Sequence, residues 1–132
     1  PKKIYIDRSD SVSNLKNYRG IVNEDEVIHF LKNKGFKIVR LTDLSFGEEI
    51  KLFNNADIVV GLQGAGLTNL IWSGKQTKII ELRSRFTNKL YENLALQNNI
   101  KFNKIKADPE AKIIADHYGL IRIDISKLKK II

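Results

Sequence analysis

Asp57-Ile58-Val59-Val60-Gly61-Leu62-Gln63-Gly64-Ala65-Gly66-Leu67-Thr68-Asn69-Leu70-Ile71-Trp72 runs from a short apolar stretch through a glycine-rich turn into a second apolar segment. Ile58 to Val60 reads as a buried strand of a parallel sheet, and the segment from Leu67 reads as the start of a helix. Gly61, Gly64 and Gly66 fall within six residues. Glycine is expected here to allow positive φ and to keep side chains away from main-chain N–H groups. The helix beyond adds N–H groups without intrahelical partners and the positive end of a dipole. Such a junction suits an anion, most often a phosphate; a tight strand-to-helix turn with no ligand is the alternative. It is neither of the two best-known phosphate motifs. No Lys follows the glycines as in a Walker loop. Asn69 stands where the dinucleotide fingerprint has its third glycine, and the turn follows the third strand rather than the first.

Working outward, apolar runs alternate with helical patterns, which predicts an α/β domain with a Rossmann-like parallel sheet sandwiched by helices. Strands are expected at Ile4–Ile6, Phe36–Leu41, Ala56–Val60, Lys78–Leu82 and Lys101–Ile105, with a last one at Leu120–Ile123. Asn23 is placed to cap a helix whose first turn carries Glu24, Asp25 and Glu26, and Gly35 closes that helix. Ser45 and Glu48 fit a capping box for a helix from Ser45 to Asn54. Helical spacing also covers Leu67–Trp72 and Asn88–Gln97, and a terminal helix follows Ser126. Ser9 to Arg19 reads as a loop, and the chain is looser beyond Pro109.

The 132 residues suffice for one domain with a single core. With no Cys there are no disulfides and no thiolate metal site, and His29 and His117 are too far apart in sequence to suggest a histidine-rich centre. No apolar run is long enough to span a bilayer, and the N-terminus lacks a signal-peptide core. The chain has no Met and its first strand starts almost at once, so it reads as the C-terminal piece of a longer protein. The net charge of +8 is spread over lysines without an arginine-rich stripe or interleaved aromatics. A solvated lysine surface is the plainest reading; attraction to an anionic membrane or acidic glycan comes next, and nucleic acid last.

Ligands of open doubly wound sheets bind beyond the carboxyl ends of strands. That rule selects Asp7-Arg8, Gln63 to Asn69, and Glu81 to Arg83. Arg8 can clamp a phosphate or be a surface arginine. Glu81 can accept both hydroxyls of a ribose, or form an ion pair with Arg83 or Arg85.

Ile4-Tyr5-Ile6-Asp7-Arg8, Arg19-Gly20-Ile21-Val22-Asn23-Glu24, Gly35-Phe36, Gly64-Ala65-Gly66-Leu67-Thr68-Asn69 and Ile79-Ile80-Glu81-Leu82 together resemble the C-terminal half of glycosyltransferase family 61. That family includes capsular-polysaccharide-type transferases of bacteria, plant xylosyl- and arabinosyltransferases, and secretory-pathway GlcNAc transferases. The resemblance covers roughly residues 3 to 106, and Gly-Ala-Gly-Leu-Thr-Asn is its most specific element. It implies one half of a GT-B fold that binds a nucleotide-diphosphate sugar, with a UDP-sugar as the expected donor, and inverting, metal-independent transfer to a glycan acceptor in polysaccharide biosynthesis. No cofactor or metal is expected, and the general base is expected on the missing N-terminal domain.

Carried over residue by residue, the resemblance implies donor contacts from Arg8, Arg19, Asn23 and Glu24, from Gln63, Gly64, Ala65, Gly66, Leu67, Thr68 and Asn69 in the donor loop, and from Glu81. Asn23 and Glu24 are equally explained by a capped helix. Gln63 departs from the usual His, and Glu49 from the usual Gln. A Gln can still hydrogen-bond a phosphate or sugar hydroxyl but cannot act as a base, so positioning of the donor is the favoured role. His29 reads as structural, and His117 has no assignable role. The bacterial branch of the family implies a cytoplasmic protein, with peripheral contact at the inner face of the plasma membrane. The competing readings are a non-catalytic nucleotide- or glycan-binding module, and a basic domain that binds nucleic acid or membrane.

Overall fold

In a computed structural model, residues 2–7, 20–85, 88–107 and 120–132 are described. Along the chain the elements are β1 (Lys3–Ile6), β2 (Gly20–Ile21), α1 (Glu24–Asn33), β3 (Lys37–Val39), α2 (Phe46–Asn55), β4 (Ile58–Leu62), a 3-10 helix (Ala65–Trp72), β5 (Lys78–Ser84), α3 (Leu90–Gln97), β6 (Lys101–Ala107), β7 (Leu120–Ile121) and α4 (Ile125–Ile131). Five of the strands form one sheet in the order β3-β1-β4-β5-β6, and every neighbouring pair in it is parallel. Counting only these strands, the order is 2-1-3-4-5. This is a doubly wound arrangement whose strand order reverses between β1 and β4.

The apolar runs are nearly continuous because both faces of the sheet are covered. On one face Tyr5, Val60, Ile80, Leu82 and Ile105 meet Val27 and Leu31 of α1 and Leu128 of α4. On the other, Ile4, Ile6, Val59 and Ile79 meet Phe53 of α2, Leu67 and Leu70 of the 3-10 helix, and Tyr91 and Ala95 of α3. Burying a Leu, Ile or Phe side chain contributes roughly 1.5–3 kcal/mol, so these two layers are the main source of cohesion.

Helix ends follow local chemistry. At the end of α1 the Gly35 N–H donates to Lys32 O and the Phe36 N–H to Leu31 O, with Gly35 at φ +87. This is a Schellman closure, in which glycine takes the left-handed position. The capping box of α2 is present: Ser45 Oγ accepts from the Glu48 N–H, and Glu48 Oε1 accepts from the Ser45 N–H. Ser45→Ala is expected to lower stability by about 1 kcal/mol in urea denaturation; an unchanged midpoint would show that the cap contributes nothing here.

Three local expectations are revised. The strand expected over Phe36–Leu41 is confined to Lys37–Val39, because Leu41–Asp43 winds into a 3-10 turn. The segment after the glycine turn is a 3-10 helix that starts at Ala65. With three residues per turn, Leu67 and Leu70 line up on one face, and both are buried. Asn23 occupies the N-cap position of α1, but its side chain makes no capping bond. Its Nδ2 donates instead to Ile123 O at 2.8 Å, and its Oδ1 accepts from the Ile123 N–H at 2.9 Å. It thereby extends the two-stranded parallel ladder of β2 and β7, in which Gly20 pairs with Leu120 and Ile21 with Ile121.

Candidate functional site

The switch point of the sheet lies where β1 and β4 end side by side. Ile6 is in register with Gly61, and the Asp7 N–H continues the ladder to Val39 O. Beyond β4 the Gln63 N–H donates to Leu82 O, and Gly64 leads into the 3-10 helix, with the Leu67 N–H on Gly64 O. The opening N–H groups of a helix have no partner inside it, so the Gly64–Gly66 backbone offers donors at the switch point.

The glycines are needed for space rather than for unusual torsions. Among the described residues only Gly35 and Asn99 have positive φ in the left-handed region, and Gly64, at φ 168, is extended. A Cβ on Gly61 would lie 3.3 Å from Leu67 Cδ2, and one on Gly66 would lie 3.0 Å from Leu41 Cδ1. These two positions let the 3-10 helix settle against the sheet. A side chain at 66 therefore disturbs packing before it meets any ligand. Thr68 is exposed, and Asn69 Nδ2 donates to Gly66 O at 3.2 Å, bracing the turn from within.

Glu24, at the start of α1, approaches the same end of the sheet. Its Oε2 accepts from the buried Tyr5 hydroxyl at 2.8 Å. Burial pushes its carboxyl up from the ordinary value; the Tyr5 hydrogen bond opposes this, and the negative charges of Asp7 and Asp25 reinforce it. Asp7 lies 3.7 Å from Arg40 Nη2. Asn23 spends its amide on Ile123 and Glu26.

Glu81 and Gln63 both point into the protein. Glu81 is 0% exposed, and its Oε1 pairs with Arg83 Nη1 at 2.8 Å. Burial raises its carboxyl to about 7 even though Arg83 pulls the other way. Arg83 Nη2 pairs with Glu92 at 3.1 Å, and Glu92 also takes Lys104 at 2.7 Å. The Lys104 hydrogen bond, aided by Arg83, holds Glu92 below its ordinary value. Gln63 is 4% exposed, and its Nε2 donates to Asn88 O at 3.1 Å. Of the two sequence readings of Glu81, this structure displays the ion pair.

The structure thus brings Gln63, Gly64, Ala65, Gly66, Leu67, Thr68 and Asn69 together at the switch point, with Glu24 near the end of β1. Glu81, expected at the tip of its strand, is instead buried in the middle of β5, which runs on to Ser84 in its pairing with β6. Arg8, Arg19 and His117 lie outside the described residues. Among the described residues no group of three His, Cys, Asp or Glu side chains could hold a metal ion. The sequence reading missed Tyr5, Asn88, Glu92 and Lys104. The contacts that tie them to the candidate site, Tyr5 to Glu24, Asn88 to Gln63, Glu92 to Arg83 and Lys104 to Glu92, each span nine or more residues, and no local spacing signals them.

The sequence pattern of the family described as Glycosyltransferase 61 matches residues 1–80, more than half of the chain. The chain belongs to this family. Its similar proteins include the EGF domain-specific O-linked N-acetylglucosamine transferases of Mus musculus, 32% identical over 90 residues, and of Gallus gallus, 31% identical over 90 residues. Each of these alignments takes in 64% of this chain and 17% of the relative. The protein of the same name in Drosophila melanogaster is 30% identical over 94 residues, 69% of this chain and 18% of its own length. The chain therefore spans less than a fifth of the relatives it matches. The family match includes the glycine turn and ends at Ile80, so the Glu81–Arg83–Glu92 cluster lies beyond it.

Proposed function

We propose that this chain is the donor-binding half of an inverting, metal-independent glycosyltransferase of GT-B architecture. The observation that carries the reading is the glycine turn at the switch point of a doubly wound sheet in a member of the glycosyltransferase 61 family. The diphosphate of a UDP-sugar sits on the Gly64–Gly66 backbone, with Thr68 and Asn69 beside it and Arg8 and Arg19 supplying positive charge. Glu81, assigned from sequence to the ribose, is buried and paired with Arg83 in this structure, so it contacts the ribose only if that pair is broken. The relatives' name makes UDP-N-acetylglucosamine the first donor to try. The sugar passes to a glycan acceptor in polysaccharide biosynthesis, with the general base supplied by another domain. No helix among the described residues is long and apolar enough to cross a membrane. The lysine-rich surface supports peripheral contact with the anionic inner face of a plasma membrane.

The experiment is calorimetric titration of UDP and UDP-N-acetylglucosamine in the presence of a chelator. Binding is expected without metal. Thr68→Glu, a charge placed at an exposed position beside the turn, is expected to weaken it by roughly tenfold or more through repulsion of the diphosphate. Equal affinity in that variant would put the site elsewhere. A non-catalytic binding module is the second reading, favoured by the way Gln63 is turned away and held by Asn88. Transfer needs the acceptor in line with the anomeric carbon, a positioning effect that supplies roughly 7–11 kcal/mol. This chain alone is therefore expected to bind donor without forming glycoside. Sugar transfer by the full-length protein separates the two readings.

A further inference from the structure

Arg83 is 2% exposed and stands between two carboxylates on different elements, Glu81 on β5 and Glu92 on α3. Its Nη1 also lies 3.5 Å from the main-chain oxygen of Asn88. That same oxygen accepts from Gln63 Nε2 at 3.1 Å, while Asn88 Oδ1 accepts from the Leu90 N–H at 3.1 Å and opens α3. The turn after β4 and the connection from β5 to α3 therefore meet at one carbonyl, and the guanidinium holds that carbonyl's segment from below. Stability alone does not explain the cluster. Glu81 Oε2 and Arg83 Nε are buried without a hydrogen-bond partner, and half-satisfied buried networks lower stability relative to an apolar core.

We propose that Arg83 is a positioning residue that fixes the glycine turn through the Asn88 carbonyl and Gln63. The proposal rests on the reading of that turn as the donor-phosphate site. A planar, five-donor guanidinium can bridge Glu81, Glu92 and the Asn88 segment at once, whereas a lysine ammonium retains the charge without the fork. Gln63 is on this account the last link of the relay. Its amide anchors the turn to the β5–α3 connection, and the backbone beyond it is left to face the diphosphate. Arg83, Asn88 and Glu92 lie outside the family match, which ends at Ile80, whereas Gln63 and the turn it anchors lie within it.

The test combines amide hydrogen exchange, read without ligand, with UDP titration of the parent, Arg83→Lys, Gln63→Leu and the double variant. Arg83→Lys is expected to speed exchange at residues 64–69 and in the first turn of α3, with β1 and β4 unchanged. Gln63→Leu is expected to do the same, and the double variant to add nothing further, as for two members of one chain of contacts. UDP affinity is expected to fall roughly tenfold in each single variant and by the same factor in the double. A double-variant loss of roughly a hundredfold, the product of independent effects, would overturn the proposal. So would exchange raised evenly over all core strands, the mark of a merely structural arginine. Absence of UDP binding to the parent would sink the donor reading, and the exchange data would still decide the relay. If Arg83→Lys does not fold, Glu92→Ala replaces it in the same cycle. That change releases Nη2 from a partly exposed carboxylate, and unchanged exchange at residues 64–69 would refute the relay.

Discussion

Unfolding free energy is expected to fall as pH rises from the ordinary 4.5 of a glutamate to about 7, and Glu81→Gln is expected to remove most of that fall. The Glu81 carboxyl is raised in the folded protein from an ordinary 4.5 to about 7, chiefly by burial and against the pull of Arg83. A group whose folded value lies above its unfolded value holds its proton longer when folded. Between the two values the unfolded chain binds fewer protons, so stability declines with rising pH across that window. The full shift corresponds to a change on the order of 3 kcal/mol. Glu24, also raised by burial, adds to the fall in the same direction. Glu92 acts oppositely: its lowered value gives stability that is present above the ordinary carboxylate range and lost on acidification. The check is urea denaturation of parent and Glu81→Gln at several pH values through this window. Parallel slopes in the two proteins would show that Glu81 titrates normally.

Asn23→Ala is expected to cost about 2–4 kcal/mol, since it leaves both the N–H and the C=O of Ile123 without their partner. Asn23→Asp discriminates between the two roles open to this residue. At a helix N-cap, Asp and Asn are interchangeable. In the clamp on Ile123, Asp presents an oxygen to a carbonyl oxygen where the amide presented an N–H, so it is expected to be nearly as damaging as Ala. Thermal or urea denaturation of the two variants decides the matter, and parent-like stability of Asn23→Asp would return the residue to the capping role.

These two residues mark the border of what the sequence can disclose. Strands such as Ile4–Ile6 and Lys78–Leu82 are legible because apolar runs covered on both faces have few other uses. The Ser45–Glu48 box and the Gly35 closure are legible because their partners lie within one helical turn. β2 is not: two residues, Gly20 and Ile21, make a strand only because Leu120 and Ile121 lie beside them, a hundred positions away. Asn23 has the right type and place for a cap, and a distant backbone outcompetes the local one. The glycine turn shows the same division. Its place after the third strand is readable, but the reason for its glycines is contact with Leu67 and Leu41. Glu81 likewise reads from sequence as a strand-end carboxylate, and only the three-dimensional structure shows that β5 continues to Ser84 and that the carboxylate is spent on Arg83.

Among the described residues the five-stranded sheet stops at β3 on one side and β6 on the other, each with a single strand neighbour. An open margin of backbone donors and acceptors is a template on which another chain can add a strand. Lys37 and Arg40 are exposed along the first margin, and Lys101 and Lys106 along the second. For two copies to join margin to margin, these like charges would have to face one another across the new ladder, which is destabilising. Part of the +8 charge therefore keeps molecules of this protein apart from their own kind. Acetylating Lys37, Lys101 and Lys106 would remove that repulsion from the second margin and leave Arg40 as the charge on the first.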